Sequence, residues 1–388
     1  MSTLKVNSIS DAAGANGNAI TLATDGTCTA KVTNNLSNRN LIINGAMQIA
    51  QYGTSTTTNN TFCLDRWKCQ FGGTDEAQTF TQHALTSSDT GPWSKGFRHS
   101  LHIQNGNQTS GAGASDYTQI RYIVEAQDIA NSGWDYTSAS SYLTLSFWIK
   151  SSVAQDFPVA FQTSDGTEYT YAFKTGSLSA DTWTKVTKTI PGNSNLTVNS
   201  DNGIGLLLYF NPFKGTTWTG SVTEDTWYVT SGNDAADDMT STWWTTDDST
   251  YELTGVQLEV GSTATDYEHR SYGDELFRCQ RYCCVVGDRS VDVDIFSTVV
   301  FYGANDARVV VTFPRPMRAS PSGTISSGTD FWAILSAGSS MLPDSAAGVS
   351  TRPYHASVQF TDAVSGTAGN CGVIEPRETA RMLFEAEL

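Results

Sequence analysis

The sequence predicts an all-β protein made of two antiparallel β-sandwiches, the first of jelly-roll type and the second smaller. Three observations point there. Runs of strict apolar/polar alternation recur along most of the chain, which is the pattern of half-buried strands. Gly, Asn and Ser clusters punctuate them as turns. The composition, with 11% aromatic residues, ten Trp and only 16% charged residues in 388, is that of folded β-structure rather than disorder.

Residues 1–38 form a small polar segment with two brief alternating runs, "LKVNSI" and "NAITLAT". Such a segment is too small to bury a core alone, so it docks onto something else or pairs with copies of itself. Residues 39–270 make the first sandwich. In "YLTLSFWIK", Leu143, Leu145, Phe147 and Ile149 share one face, with Thr144, Ser146, Trp148 and Lys150 opposite. "TWTKVTKTIPG" repeats the alternation up to a Pro-Gly turn, and "YELTGVQLEVG" alternates again. "GIGLLLYF", Gly203–Phe210, is continuously apolar, as a central strand covered on both faces would be.

A linking helix is expected over 271–284. Ser271 with Asp274 fits a capping box, and Asp274 and Glu275 fall in the first turn, where the helix dipole favours carboxylates. Leu276, Cys279 and Cys283 recur at helical spacing as an apolar stripe with no local cover. Strand patterns then resume over 285–388 in "DIFSTVVFYG", "ARVVVTF", "DFWAIL", "HASVQF" and "ARMLFEAEL". A boundary near 270 agrees with the charge distribution, since residues 1–270 carry 14 Lys+Arg against 26 Asp+Glu and 271–388 carry 9 against 13, with no Lys after Lys214.

The net charge of −16 would repel nucleic-acid backbones and anionic membranes, so neither is an expected partner. No apolar run is long enough to span a bilayer. The seven Cys are odd in number and irregularly spaced, unlike a disulfide framework. With no signal-peptide pattern at the N-terminus, the expectation is a soluble protein made in a reducing cytoplasm.

Several stretches carry a family resemblance. "NLIINGAMQIAQYGTS" followed by "LDRW" at Leu64–Trp67 resembles the opening of a domain of bacteriophage tail fibres. "LTGVQLEVGSTATDYEHRSYGDELFRCQRYC" resembles its closing signature. "VVVTFPRPMRASPS", Val309–Ser322, is similar to a Pro-rich stretch of the C-terminal fibre domain, and "STLKVNSI" to the virion-attachment leader of short tail fibres from marine phages. The resemblance implies a homotrimeric virion protein, held by its N-terminus to the tail or an adaptor. It also implies a middle jelly roll like a carbohydrate-binding module, and a C-terminal tip.

Catalytic signatures are absent: there is no HExxH, GxSxG, P-loop or GxGxxG. His99 and His102 fall on opposite faces of a strand, and Cys279, Cys283 and Cys284 lack partners to complete a zinc set. Asp292 and Asp294 share a strand face and are read as solvated rather than as a glycosidase pair. The constellation that stands out is the long Pro212–Thr250 loop. It holds Phe213, Trp218, Trp227, Tyr228, Trp243 and Trp244, with Glu224, Asp225, Asp234, Asp237, Asp238, Asp247 and Asp248. Loops of this length are functional or disordered, and this many aromatics argues against disorder. Three readings stay open: indoles stacking on sugar rings with Asp225 and Asp234 accepting hydroxyl hydrogen bonds, indoles pinning the loop, or acids holding Ca²⁺. The expectation is a non-enzymatic tail fibre that binds host surface polysaccharide multivalently and needs no cofactor. A glycan-cleaving tailspike and a purely structural adaptor are the alternatives.

Overall fold

The computed structural model describes residues 8–10, 18–22, 28–30 and 38–388, apart from 221, 232–235 and 291–294. Asp234, Asp292 and Asp294 therefore lie outside the described residues. The N-terminal strands Ser8–Ser10, Asn18–Leu22 and Cys28–Ala30 form an antiparallel sheet of their own.

The first sandwich packs two antiparallel sheets face to face. The six-stranded sheet runs, in spatial order, Thr184–Pro191, Tyr142–Ser151, Thr250–Val260, His99–Gln104, Thr79–Ala84 and Ser55–Thr56. The seven-stranded sheet runs Trp227–Val229, Tyr169–Lys174, Pro158–Thr163, Ile204–Lys214, Tyr117–Glu125, Trp67–Gly72 and Thr61–Leu64. Alternation sorts the side chains as the sequence predicts. Leu143, Leu145, Phe147 and Ile149 enter the core, where Leu206, Leu208 and Phe210 meet them from the other sheet. Leu207 is buried on the opposite face of its strand, so this apolar run is covered on both sides, apart from half-buried Gly203, Ile204 and Tyr209.

Cys63 and Cys69 are joined in a disulfide, contrary to the expectation from their irregular spacing. They lie diagonally across the hairpin of Thr61–Leu64 and Trp67–Gly72, where Cys69 pairs with Thr61 and Cys63 sits at a register shift, with Cα atoms 6.0 Å apart, inside the range a bridge requires.

The helix begins where the capping box places it, with Ser271 Oγ accepting from the Asp274 N–H. It spans Tyr272–Cys279 only, and Cys283–Val286 is already a strand paired with Met382–Glu385. Cys283 thus leaves the expected stripe, because sheet pairing claims it. Nor is the inward helix face uncovered. It carries buried Glu275 and Cys279, and Glu275 Oε1 accepts from the Asn44 N–H. Tyr272 and Phe277 are the large hydrophobic residues left outside, at 60% and 47% exposure.

The second sandwich is smaller, as expected. Its seven-stranded sheet orders Ser339–Met341, Trp332–Ser336, Cys371–Pro376, Ser297–Gly303, Asp306–Thr312, His355–Phe360 and Gly348–Arg352. A three-stranded sheet of Cys283–Val286, Met382–Glu385 and Ser322–Ile325 closes it over Val299, Phe301, Trp332, Ile334 and Phe384.

Residues from the resembling stretches meet where the two sandwiches join. Arg66 of "LDRW" pairs with Glu387, both buried, and its guanidinium lies 3.4 Å from the Tyr282 ring centroid. Arg281 donates from Nε and Nη2 to the two oxygens of Glu125, at 2.6 and 2.8 Å. Burial opposes ionisation of Glu125, but the Arg281 and Tyr282 hydrogen bonds outweigh it and hold the carboxyl below its ordinary range. Arg318 of the Pro-rich stretch donates to the carbonyls of Ala386 and Asn202, at 2.7 and 2.8 Å.

A buried charge stripped of its partner costs about 3–5 kcal/mol. We expect Arg66→Met, which leaves Glu387 unpaired, to split a shared calorimetric unfolding transition into two, and Arg66→Met with Glu387→Leu to restore much of the loss. One unchanged transition in the single variant would show that this pair does not couple the sandwiches.

Candidate functional site

The Pro212–Thr250 loop is anchored by its aromatics. Trp243 and Trp244 sit on the short helix Thr242–Thr245 and are 0% exposed. Trp243 Nε1 donates to the Thr250 carbonyl and Trp244 Nε1 to that of Gly111, each at 2.9 Å, while Phe213 packs on Trp244. Their ring faces belong to the sandwich core, so no sugar ring reaches them. That corrects the stacking reading of this pair. Trp227 is also buried, beside Tyr171, with Nε1 donating to the Pro191 carbonyl at 2.7 Å. Trp218 is half-buried against Tyr117 and donates to the Ser115 carbonyl at 2.8 Å. Tyr228, half-buried, lies opposite Thr170 in the edge pairing of its sheet.

The acids are dispersed rather than gathered. Asp225 is exposed and pairs with Lys188. Glu224 and Asp237 share Lys174, at 3.5 and 3.0 Å, and Asp248 accepts from Gln104. Among the described residues no group of three or more His, Cys, Asp or Glu is arranged to hold a metal ion, and no helix is long and apolar enough to cross a membrane.

A different surface gathers half-buried indoles and charge: the outer face of the six-stranded sheet. Trp148 and Lys150 point outward here, as their alternation predicts. The sequence did not disclose what lies above them. The turn around Trp93–Lys95 and the segment Thr265–Arg270 both fold back over this face. Gln257 Oε1 accepts from the Glu268 N–H and Glu259 Oε1 from the Thr265 N–H, both at 2.8 Å, which places Tyr267 edge-on to Phe97. Phe97 in turn packs over Gly255, whose φ of +62° and lack of a Cβ let the ring approach the strand. The result is a cleft of about 280 Å³, with Lys95, Trp148, Lys185, Asp266 and His269 among its lining residues.

Beside the cleft, Lys150 Nζ lies 2.8 Å from Glu252 and 3.3 Å from Asp89. Trp183 Nε1 donates to Asp89 at 3.1 Å, and the Lys150 ammonium is 5.0 Å from the Trp183 ring centroid. Glu252, 3% exposed, also accepts from Ser100 Oγ at 2.7 Å. Both carboxyls are held ionised. Burial works against this, but for Asp89 the hydrogen bonds from Thr86, Trp183 and Lys150 bring it down to about 2, and for Glu252 those from Lys150 and Ser100 lower it below its ordinary range. Such a face offers apolar ring surface beside fixed charged and hydrogen-bonding groups.

No family model matches the chain, and no curated protein matches it. Among solved structures, it is similar to the enzymatically active domain of tailspike protein 4 of bacteriophage CBA120, at 11% identity and a TM-score of 0.31. That match covers 57% of this chain and only 21% of the tailspike chain. It is also similar to the CBM22-1 xylan-binding domain of Xyn10C from Paenibacillus barcinonensis, at 12% identity and a TM-score of 0.29, covering 61% of this chain and 100% of that one. The tandem CBM22-1–CBM22-2 domains of the same protein match at 10% identity and a TM-score of 0.29, over 93% of this chain and 100% of theirs. Scores this low carry no function across to the chain.

Core Trp→Ala changes cost about 3–5 kcal/mol each, against a typical stability of about 5–15 kcal/mol. We therefore expect Trp243→Ala with Trp244→Ala to unfold the first sandwich or lower its melting temperature sharply, as read by circular dichroism. A melting temperature within a few degrees of wild type would place the pair outside the core. A second expectation concerns acid. The folded pKa of Asp89 lies below its ordinary value of 3.8, so its stabilisation is complete above about pH 4 and is lost as pH falls through about 2. Trp183 fluorescence should change across that window in wild type and not in Asp89→Asn. The same change in the variant would assign the acid response to another group.

Proposed function

We propose that the chain is a non-catalytic receptor-binding fibre protein of a bacteriophage tail, which holds a host surface polysaccharide on the outer face of its six-stranded sheet. The observation that carries this is the clustering of half-buried Trp93, Trp148 and Trp183 around Asp89, Lys150 and Lys185. Indole faces pack on the C–H faces of sugar rings, and charged groups fixed by one another bind hydroxyls with little ordering cost.

The sequence resemblance supports the fibre assignment, and four residues of its stretches, Arg66, Arg281, Tyr282 and Arg318, serve the junction. In this reading residues 1–38 attach the protein to the tail or an adaptor, and three copies assemble into one fibre. Multivalency then turns a weak site into firm adsorption. The non-catalytic reading draws support from Asp89 and Glu252. Canonical glycosidic cleavage uses one carboxylic acid that keeps its proton near neutrality, and at this face Asp89 and Glu252 do not supply it.

Full burial of a large side chain against a ligand contributes about 1.5–3 kcal/mol. Trp148→Ala with Trp183→Ala should therefore weaken binding of purified protein to host polysaccharide by at least about tenfold, with the fold retained by circular dichroism. The wild-type protein should sediment as a trimer and release no new reducing ends from the polysaccharide. Undiminished binding by the folded variant would move the receptor site elsewhere. Appearance of reducing ends would replace the fibre reading with a depolymerase.

A further inference from the structure

One lysine in the Pro212–Thr250 region is buried without a counter-charge. Lys214 ends the strand Ile204–Lys214 and is only 6% exposed. Among the described residues no hydrogen bond or ion pair takes its ammonium, and the group it meets is the Tyr209 ring, with the centroid 5.8 Å away. The other lysines of this part of the chain are differently placed: Lys174 and Lys188 each have carboxylate partners. Burial alone pushes the Lys214 amine down to about 8, so it still carries its proton at neutral pH. A largely buried ammonium with no carboxylate beside it favours an anion in the cleft it lines.

Lys214 lines a cleft of about 200 Å³, together with Phe213, Thr219, Asp238, Met239 and Ser241. This volume is below the range of about 300–1,000 Å³ usual for drug-sized ligands, and suits a single small ring. The wall is tight. The chain turns at Gly215, where a Cβ would come within 2.3 Å of the Gly113 carbonyl oxygen and 2.5 Å of that of Ala114. On the rim, Asp238 Oδ1 accepts from Thr219 Oγ1 at 2.6 Å, leaving its other oxygen for a ligand hydroxyl. Phe213 and Met239 supply apolar surface, and Thr219 and Ser241 supply hydroxyls.

We propose that this cleft is a subsite for an acidic sugar, in which a hexuronate carboxylate takes the Lys214 ammonium and the ring hydroxyls meet Asp238 and Ser241. The inference rests on the glycan-binding reading and names one constituent of the glycan. A dense polyanion is disfavoured by the acidic rim and by the net charge of −16, whereas a polysaccharide with one carboxylate per repeat meets one lysine.

The test uses the full-length protein and small probes: methyl β-D-glucuronide, methyl β-D-glucoside, inorganic sulfate and inorganic phosphate. Binding is followed by saturation-transfer NMR and calorimetry, beside a melting curve for each variant. We expect the glucuronide to bind wild type at least about tenfold more tightly than the glucoside, the scale of a charge-assisted hydrogen bond. Lys214→Met and Lys214→Gln should erase that preference while keeping or raising the melting temperature. Equal binding of the two glycosides, or a preference that survives in both variants, would overturn the proposal, and so would sulfate or phosphate displacing the glucuronide more tightly than it binds itself. The two readings separate cleanly. Polysaccharide binding that depends on Trp148 and Trp183 without any glucuronide preference sinks the acidic subsite alone. A Lys214-dependent glucuronide preference without binding at the indole face upholds the subsite and removes that face from the proposed function.

Discussion

The structure depends on the insertion of one strand. Thr250–Val260 enters the six-stranded sheet between Tyr142–Ser151 and His99–Gln104, and so completes it from the far end of the domain. Tyr251, Leu253, Val256 and Leu258 fill the core from it, all fully buried. The same strand receives the start of the sandwich: the Leu41 N–H donates to the Leu258 carbonyl, and the Val256 N–H to that of Gly45. Gly45 has to be glycine, since a Cβ there would lie 2.1 Å from the Val256 oxygen. Pairings this distant in sequence form late, because the chain between them has to be ordered before they contribute.

From that strand the charged architecture extends in two directions. Outward, Glu252 fixes Lys150, while Gln257 and Glu259 tie down the segment that roofs the cleft. Onward, the chain passes to Arg270, which donates to the carbonyls of Asn40 and Ile42, and then to Glu275 on the helix. Asn44 is the pivot there. Its side-chain amide donates to the carbonyls of Ile49 and Asp65, and its carbonyl oxygen accepts from the Ile49 N–H. Buried polar groups stay inexpensive only when every partner is in place. This explains why the segment Asn40–Gln51, which contains no regular strand, is nonetheless well packed.

Local chemistry was legible in the sequence, and distant closure was not. The strand Tyr142–Ser151 was readable from its period of two, and the helix start from Ser271 and Asp274. The helix end was not, because Cys279 and Cys283 keep helical spacing whether or not Cys283 pairs with Glu385, as it does. The Trp243–Trp244 pair was readable as important but not as core, since an indole suits an interior as well as a binding face. Its burial depends on Asn105, which donates to the Trp244 carbonyl, and on Gly111, both far back in the chain. The cleft escaped notice for the same reason: Lys95, Trp148, Lys185 and Asp266 come from four separate segments. Only the outward face of one of them, Trp148 with Lys150, was visible beforehand.

The central claim is that the ligand face is the outer surface of the six-stranded sheet, while Arg66, Arg281 and Tyr282 serve the junction. Hydrogen–deuterium exchange of the full-length protein, with and without host polysaccharide, tests it without altering a residue. Added polysaccharide should slow exchange in the segments carrying Ser94–Phe97, Ser146–Lys150 and Asp266–His269, and leave the junction around Arg66 and Tyr282 unchanged. Protection confined to the second sandwich, or none at all, would contradict it.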